Sequence, residues 1–139
     1  MHNNMKRYIK LFSIPLLYAV MLVSCKQDFP IDEDGLLITT RAECYVSNFE
    51  LLGSDFQTVR TKNPVIDTTA QTIAVEVFFG TDLKNLYPQF SLVTDAKLDP
   101  KITGPVDFSD LVTPKTYTVI SGNRKVRKPY TVTITVQQP

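Results

Sequence analysis

Histidine is nearly missing from this chain: the only one is His2, and tryptophan does not occur at all. If the first residues are a removable leader, everything after them is histidine-free. A Ser-His-Asp or Cys-His catalytic arrangement then cannot be assembled. Cysteine is scarce as well, with Cys25 and Cys44 alone, so a zinc site built from clustered His and Cys is excluded. No cofactor motif is present and none is expected. Long apolar runs are also lacking. The longest, residues 11–23, is broken by Ser13 and Pro15. As a helix it would span about 20 Å, against a hydrocarbon core of roughly 30 Å.

That short run is what the N-terminus does contain. Lys6, Arg7 and Lys10 precede it with no acid among them, giving a basic n-region and an apolar h-region. Met5-Lys6-Arg7 opens a more typical n-region than Met1, so Met5 stands as an alternative start. The run ends in Leu22-Val23-Ser24-Cys25, which resembles the lipobox of bacterial lipoproteins. The resemblance implies cleavage between Ser24 and Cys25, with a diacylglycerol group on the Cys25 thiol and acylation of its freed amine. Two or three acyl chains hold a protein firmly where one does so marginally. The membrane is thus an expected partner through the lipid anchor. Three stretches follow: a signal peptide at 1–24, a lipidated tether at 25–42 and one domain at 43–139.

Beyond the leader, the chain keeps 12 of its 15 Lys+Arg against 14 Asp+Glu, a balance of −2. Nucleic acid, which requires a basic surface, is not an expected partner. Residues 26–34 (KQDFPIDED) are polar and acidic around Phe29, Pro30 and Ile31, and read as a flexible linker with little to bury. Acids behind a lipidated cysteine resemble the surface-export signal of Bacteroidetes lipoproteins. That implies an outer-membrane location facing the cell exterior, the periplasmic face being the alternative.

From Glu43 onward the apolar period is two. Ile73, Val75 and Val77 alternate with Thr72, Ala74 and Glu76, and Tyr117 and Val119 with Thr116 and Thr118. Tyr130, Val132, Ile134 and Val136 alternate with Thr131, Thr133 and Thr135. This is the pattern of strands with one buried face. Weaker candidates lie at 44–51, 56–61, 89–93, 97–99 and 106–108, separated by Gly, Pro and Asn breakers. Residues 81–86 fit one helical turn capped by Thr81 or Asp82. Residues 115–121 and 129–136 fit a hairpin around 122–128. About seven short strands predict an all-β sandwich of two sheets.

The elements IDTTAQTIAVEV, TDLKNLYPQFSL, GPVDFSD, YTVI and KPYTVTITV occur in that order. Together they are similar to the immunoglobulin-like modules of unknown function found in Bacteroidetes surface lipoproteins, over residues 44–139. In such modules an Asp-Phe pair, here Asp107-Phe108, precedes the penultimate strand. The resemblance implies an immunoglobulin-like fold and supplies no catalytic residue. Larger relatives place such modules before glycan-directed domains; because this chain stops at Pro139, such a part is expected to be absent.

Several side chains remain as candidates. Cys44, among Tyr45, Val46 and Phe49, reads as a buried core thiol, with an intermolecular disulfide as the alternative. Asp95, Asp99, Asp107 and Asp110 fall in or near loops but match no calcium-loop spacing; they read as turn-forming carboxylates, and no metal site is expected. The basic run Arg124, Lys125, Arg127 and Lys128 would sit at a hairpin tip and could meet acidic glycans or a protein. Tyr87, beside Pro88 in a predicted loop, is the one ring expected to be exposed, while Tyr45, Tyr117 and Tyr130 are expected in the core. The leading expectation is a non-catalytic adhesion or assembly module on a lipid anchor. The alternatives are an accessory glycan-binding protein of a polysaccharide-uptake system and a fimbria-like structural subunit.

Overall fold

A computed structural model describes residues 29–139. Ser24 and Cys25, and with them the lipobox, lie outside the described residues. From Ile31 to Pro139 the chain forms one compact unit.

Seven strands follow in chain order: β1 Val46–Leu52, β2 Val65–Asp67, β3 Thr72–Val77, β4 Tyr87–Leu92, β5 Lys97–Asp99, β6 Lys115–Ile120 and β7 Arg127–Val136. They build two sheets, β1-β4 and β2-β3-β7-β6-β5, so the all-β sandwich is what the chain adopts. β7 is the spine of the larger sheet. It pairs antiparallel with β6 and parallel with β3, with Ile73 opposite Val132 and Val75 opposite Ile134. The Thr-rich positions of the same strands fall on the outer face.

The period-two pattern therefore does the sorting. Ile73, Val75, Val77, Tyr117, Val119, Tyr130, Val132 and Ile134 are buried, together with Val46, Phe49 and Leu51 from β1. Burying a side chain of this size contributes about 1.5–3 kcal/mol. Aromatic rings tie the layers together. Phe90 of β4 meets Phe49 edge-on at 4.9 Å and Tyr117 of β6 at 5.0 Å.

Several local features differ from what the sequence suggests. Residues 56–61 make only isolated bridges, Leu52 to Thr58 and Arg60 to Val77, and 106–108 only the bridge of Leu86 to Val106. Residues 81–86 form a turn and no helix, held by the Asp82 carboxylate, which accepts from the Lys84 amide and the Asn85 side chain. β2 has no alternating stretch of its own and forms by pairing with β3. Tyr87 is not in a loop: it opens β4, opposite Leu52. Pro88 is tolerated there because β4 is an edge strand whose other side needs no donor.

Residues 31–42, predicted as linker, lie against the larger sheet. The Thr39 amide donates to the Gly122 carbonyl (3.0 Å) and the Asn123 amide to the Arg41 carbonyl (2.8 Å). Asp32 is buried, its side chain 3% exposed, between Lys97 Nζ (2.8 Å) and Arg124 Nε (2.9 Å). Its Oδ1 accepts from the Asp34 and Leu36 amides.

Candidate functional site

The hairpin tip is the first place where charge gathers. β6 and β7 are joined by residues 121–126, and the buried Ser121 organises the turn. Its hydroxyl donates to Asn123 Oδ1 (2.6 Å) and accepts from the Val126 amide (3.0 Å). Arg124 sits at φ +61°. Its guanidinium is spent inside the fold, donating to Asp32 Oδ2 and to the carbonyls of Asp95, Ser121 and Leu37. Arg127 pairs with Asp99 at 2.9 Å. The basic run is thus divided: Arg124 and Arg127 are engaged, Lys125 is exposed, and Lys128 faces a groove elsewhere.

The loop carboxylates are occupied with turn geometry. Asp107 accepts from the Ser109 amide, and Asp110 from the amides of Val112 and Thr113. The Ser109 side chain, with its amide, holds the Asp107 carboxyl below its ordinary range, and the Thr113 and Val112 amides do the same for Asp110. Asp95 pairs with Arg41. No cluster of three or more metal-type side chains occurs among the described residues. Cys44 is buried and its thiol donates to the Val119 carbonyl at 3.1 Å. Burial pushes that thiol up, which works against thiolate chemistry.

Aromatic surface is concentrated where β1 ends. The loop after Leu52 turns tightly. The Phe56 amide donates to the Gly53 carbonyl and the Gly53 amide to the Gln57 carbonyl, each at 2.9 Å. The Gln57 amide donates to Asp55 Oδ1. At its base Glu50 accepts from Arg60 Nε (2.7 Å) and from the Thr58 hydroxyl (2.8 Å). Burial pushes the Glu50 carboxyl up, but these bonds and the Leu51 amide outweigh it and hold it low.

Phe56 leaves this loop at φ +59°, and 62% of it is exposed. A bulky residue in the left-handed region is uncommon and costs about 1–3 kcal/mol. Its ring rests on Tyr87 at 4.8 Å with the planes tilted by 42°. Sequence reasoning found Tyr87 and missed Phe56. The signal was available in Gly53-Ser54-Asp55-Phe56, a turn that puts an aromatic at its tip. Phe78 and Phe79, also exposed, come from the neighbouring segment, where the Phe78 amide donates to the Val59 carbonyl.

A second surface lies where β1 begins. Cys44 and Val46 point inward, so the pleat turns Tyr45 outward, and it is 40% exposed. The expectation that Tyr45 is core is corrected on that ground; Tyr117 and Tyr130 are buried as expected. Tyr45 shares a groove of about 560 Å³ with Thr68, Thr69, Gln71 and Lys128.

These surfaces offer rings, hydroxyls, an amide and an ammonium, all suited to recognition. The family model described as "SGBP, N-terminal" matches residues 54–134. The chain belongs to the SGBP N-terminal family. Among solved structures, the SGBP N-terminal chain resembles a candidate glycoside hydrolase of Bacteroides thetaiotaomicron. The two share 30% identity over 70% of this chain and 26% of the other, with a TM-score of 0.58. A DUF4623 family protein of Bacteroides eggerthii has the same fold at 17% identity, over 70% of this chain and 22% of the other, with a TM-score of 0.53. A protein of Bacteroides fragilis described as secreted does so at 14% identity, over 69% of this chain and 97% of the other, with a TM-score of 0.51. The chain therefore spans only about a quarter of the first two of these proteins. No curated protein matches it.

Proposed function

We propose that this protein is a non-catalytic accessory glycan-binding protein of a polysaccharide-uptake system. It is held by lipid on Cys25 at the outer face of the outer membrane, and its sandwich is an immunoglobulin-like module. The observation that carries the reading is the exposed Phe56 ring braced by Tyr87. A flat, exposed ring accepts the apolar C–H face of a pyranose. Fixing it on a tight loop over a rigid sheet reduces the ordering that binding must oppose. The turn that closes from Gly53 to Gln57 places this position in the left-handed region, and the chain fills it with an aromatic where glycine would be least strained.

Family membership supports the same direction, since SGBP proteins are glycan-binding components of Bacteroidetes uptake systems. It favours glycan capture over the adhesion reading that the sequence puts first. Absence of catalysis is part of the proposal, because the chain after Cys25 has no histidine and its turn carboxylates are engaged by backbone amides.

The test is affinity electrophoresis of the lipid-free protein through gels holding soluble glucans, mannans, xylans or uronate polymers. Retardation by at least one polymer, reduced in Tyr87→Ala, is the expected result. Unchanged mobility across the whole panel overturns the proposal.

A further inference from the structure

The groove at the start of β1 carries chemistry that the Phe56–Tyr87 surface lacks. Its lining residues come from separate parts of the chain: Tyr45 just before β1, Thr68, Thr69 and Gln71 from the β2–β3 turn, and Lys128 from β7. The turn is rigidly built. Asp67 Oδ1 accepts from the Thr69 and Ala70 amides, both at 2.9 Å. Gln71 is held at φ +58°, and its carbonyl accepts from the Thr131 amide at 3.0 Å. Tyr45 is fixed in turn by its own carbonyl, which accepts from the Val93 amide.

One aromatic ring, two hydroxyls, one primary amide and one ammonium thus surround a groove of about 560 Å³, within the usual size range of small-molecule sites. The ring suits the apolar face of a sugar, and Thr and Gln suit its hydroxyls. The ammonium suits a negative substituent. Lys128 makes no ion pair among the described residues, whereas its neighbour Arg127 is bound to Asp99. The one carboxylate of the turn, Asp67, already accepts two backbone N–H groups.

We infer that this groove is a second glycan subsite, selective for an acidic sugar such as a uronate, with Lys128 meeting the carboxylate and Tyr45 the ring face. The inference rests on the glycan-binding reading and adds to it the class of sugar. A point-charge ammonium on an open groove gives salt-dependent recognition.

Calorimetry of the lipid-free protein tests it with polygalacturonate oligosaccharides and, in parallel, neutral gluco- and manno-oligosaccharides. Binding of the uronate ligand is expected, weakened at least tenfold in Lys128→Gln and in Tyr45→Ala. Lys128→Arg is expected to retain it, and 0.5 M salt to weaken it. Lys125→Gln, on the exposed hairpin turn, is the control for diffuse charge attraction and is expected to change little. All variants are surface changes, so matching melting temperatures certify the fold. Uronate binding that Lys128→Gln and Tyr45→Ala leave intact overturns the inference, and so does an equal loss in Lys125→Gln. Neutral ligands bound through Phe56 with no uronate binding overturn the subsite but leave the glycan-binding reading standing. Silence toward both classes removes both.

Discussion

Asp32 and Arg124 are 92 residues apart in sequence, yet Asp32 Oδ2 accepts from Arg124 Nε at 2.9 Å inside the fold. Lys97 shares the same oxygen at 2.8 Å. This is what turns residues 31–42 from a linker into part of the domain, and it consumes the cation that the sequence offers most prominently for binding.

The pair gives stability a pH dependence with a definite sign. The hydrogen bond from Lys97, followed by the Leu36 amide and Arg124, holds the Asp32 carboxyl far below the ordinary carboxylate range, against the opposing effect of burial. A group whose folded value is depressed contributes stability in full above its unfolded value, ~3.9, and loses it as pH falls toward the folded one. Urea midpoints measured from pH 2 to pH 6 are therefore expected to separate wild type from Asp32→Asn. The gap should widen as pH rises through about 4 and level off above about 5. Parallel curves would show that Asp32 is not coupled to folding.

Gly122 is where the segment and the hairpin touch. A Cβ there would lie 2.5 Å from Thr39 Oγ1 and 2.9 Å from Asp95 Cβ. Gly122→Ala is expected to destabilise by about 1–3 kcal/mol through overpacking. Hydrogen exchange at the Thr39 amide should accelerate while that of β7 falls only with global stability. Exchange unchanged at Thr39 would contradict the docking.

Cys44 is expected to behave as a core group. Its buried thiol, donating to Val119, should not react with Ellman's reagent in native protein and should titrate fully in denaturant. Rapid native labelling would show an accessible thiol and restore the disulfide alternative.

Phe56 separates stability from binding. Glycine accepts φ +59° without steric cost, so Phe56→Gly is expected to leave the melting temperature unchanged or raised by a few degrees. A sharp fall would mean that Phe56 is held for packing against Tyr87 and not for a ligand.

The contrast between what is legible and what is not follows physical lines. β3, β6 and β7 are legible because one buried face imposes a strict period of two on their Val, Ile, Tyr and Thr residues. The same rule, applied to Cys44-Tyr45-Val46, would have placed Tyr45 outside. β2 and the docked residues 31–42 are not legible, because neither carries an apolar period of its own. β2 is fixed by pairing across a tight turn with Thr72 to Ala74, and residues 31–42 by Gly122 and Arg124, distant in sequence. Composition makes 26–34 look like linker, and from Ile31 onward the burial of the Asp32 carboxylate against two distant cations reverses that. Site residues were legible where local geometry decided them. Tyr87 was found as a candidate, but Phe56 required seeing that its turn leans the ring onto β4.

The central claim, that the exposed Phe56 ring braced by the half-buried Tyr87 captures sugar, is tested most directly by calorimetric titration. Lipid-free wild type and Phe56→Ala are each titrated with the oligosaccharide of whichever polymer retards the protein. Covering a ring of this size contributes roughly 1.5–3 kcal/mol, so the dissociation constant should rise about tenfold or more, with the melting temperature preserved. Equal affinity in the two proteins would contradict the account.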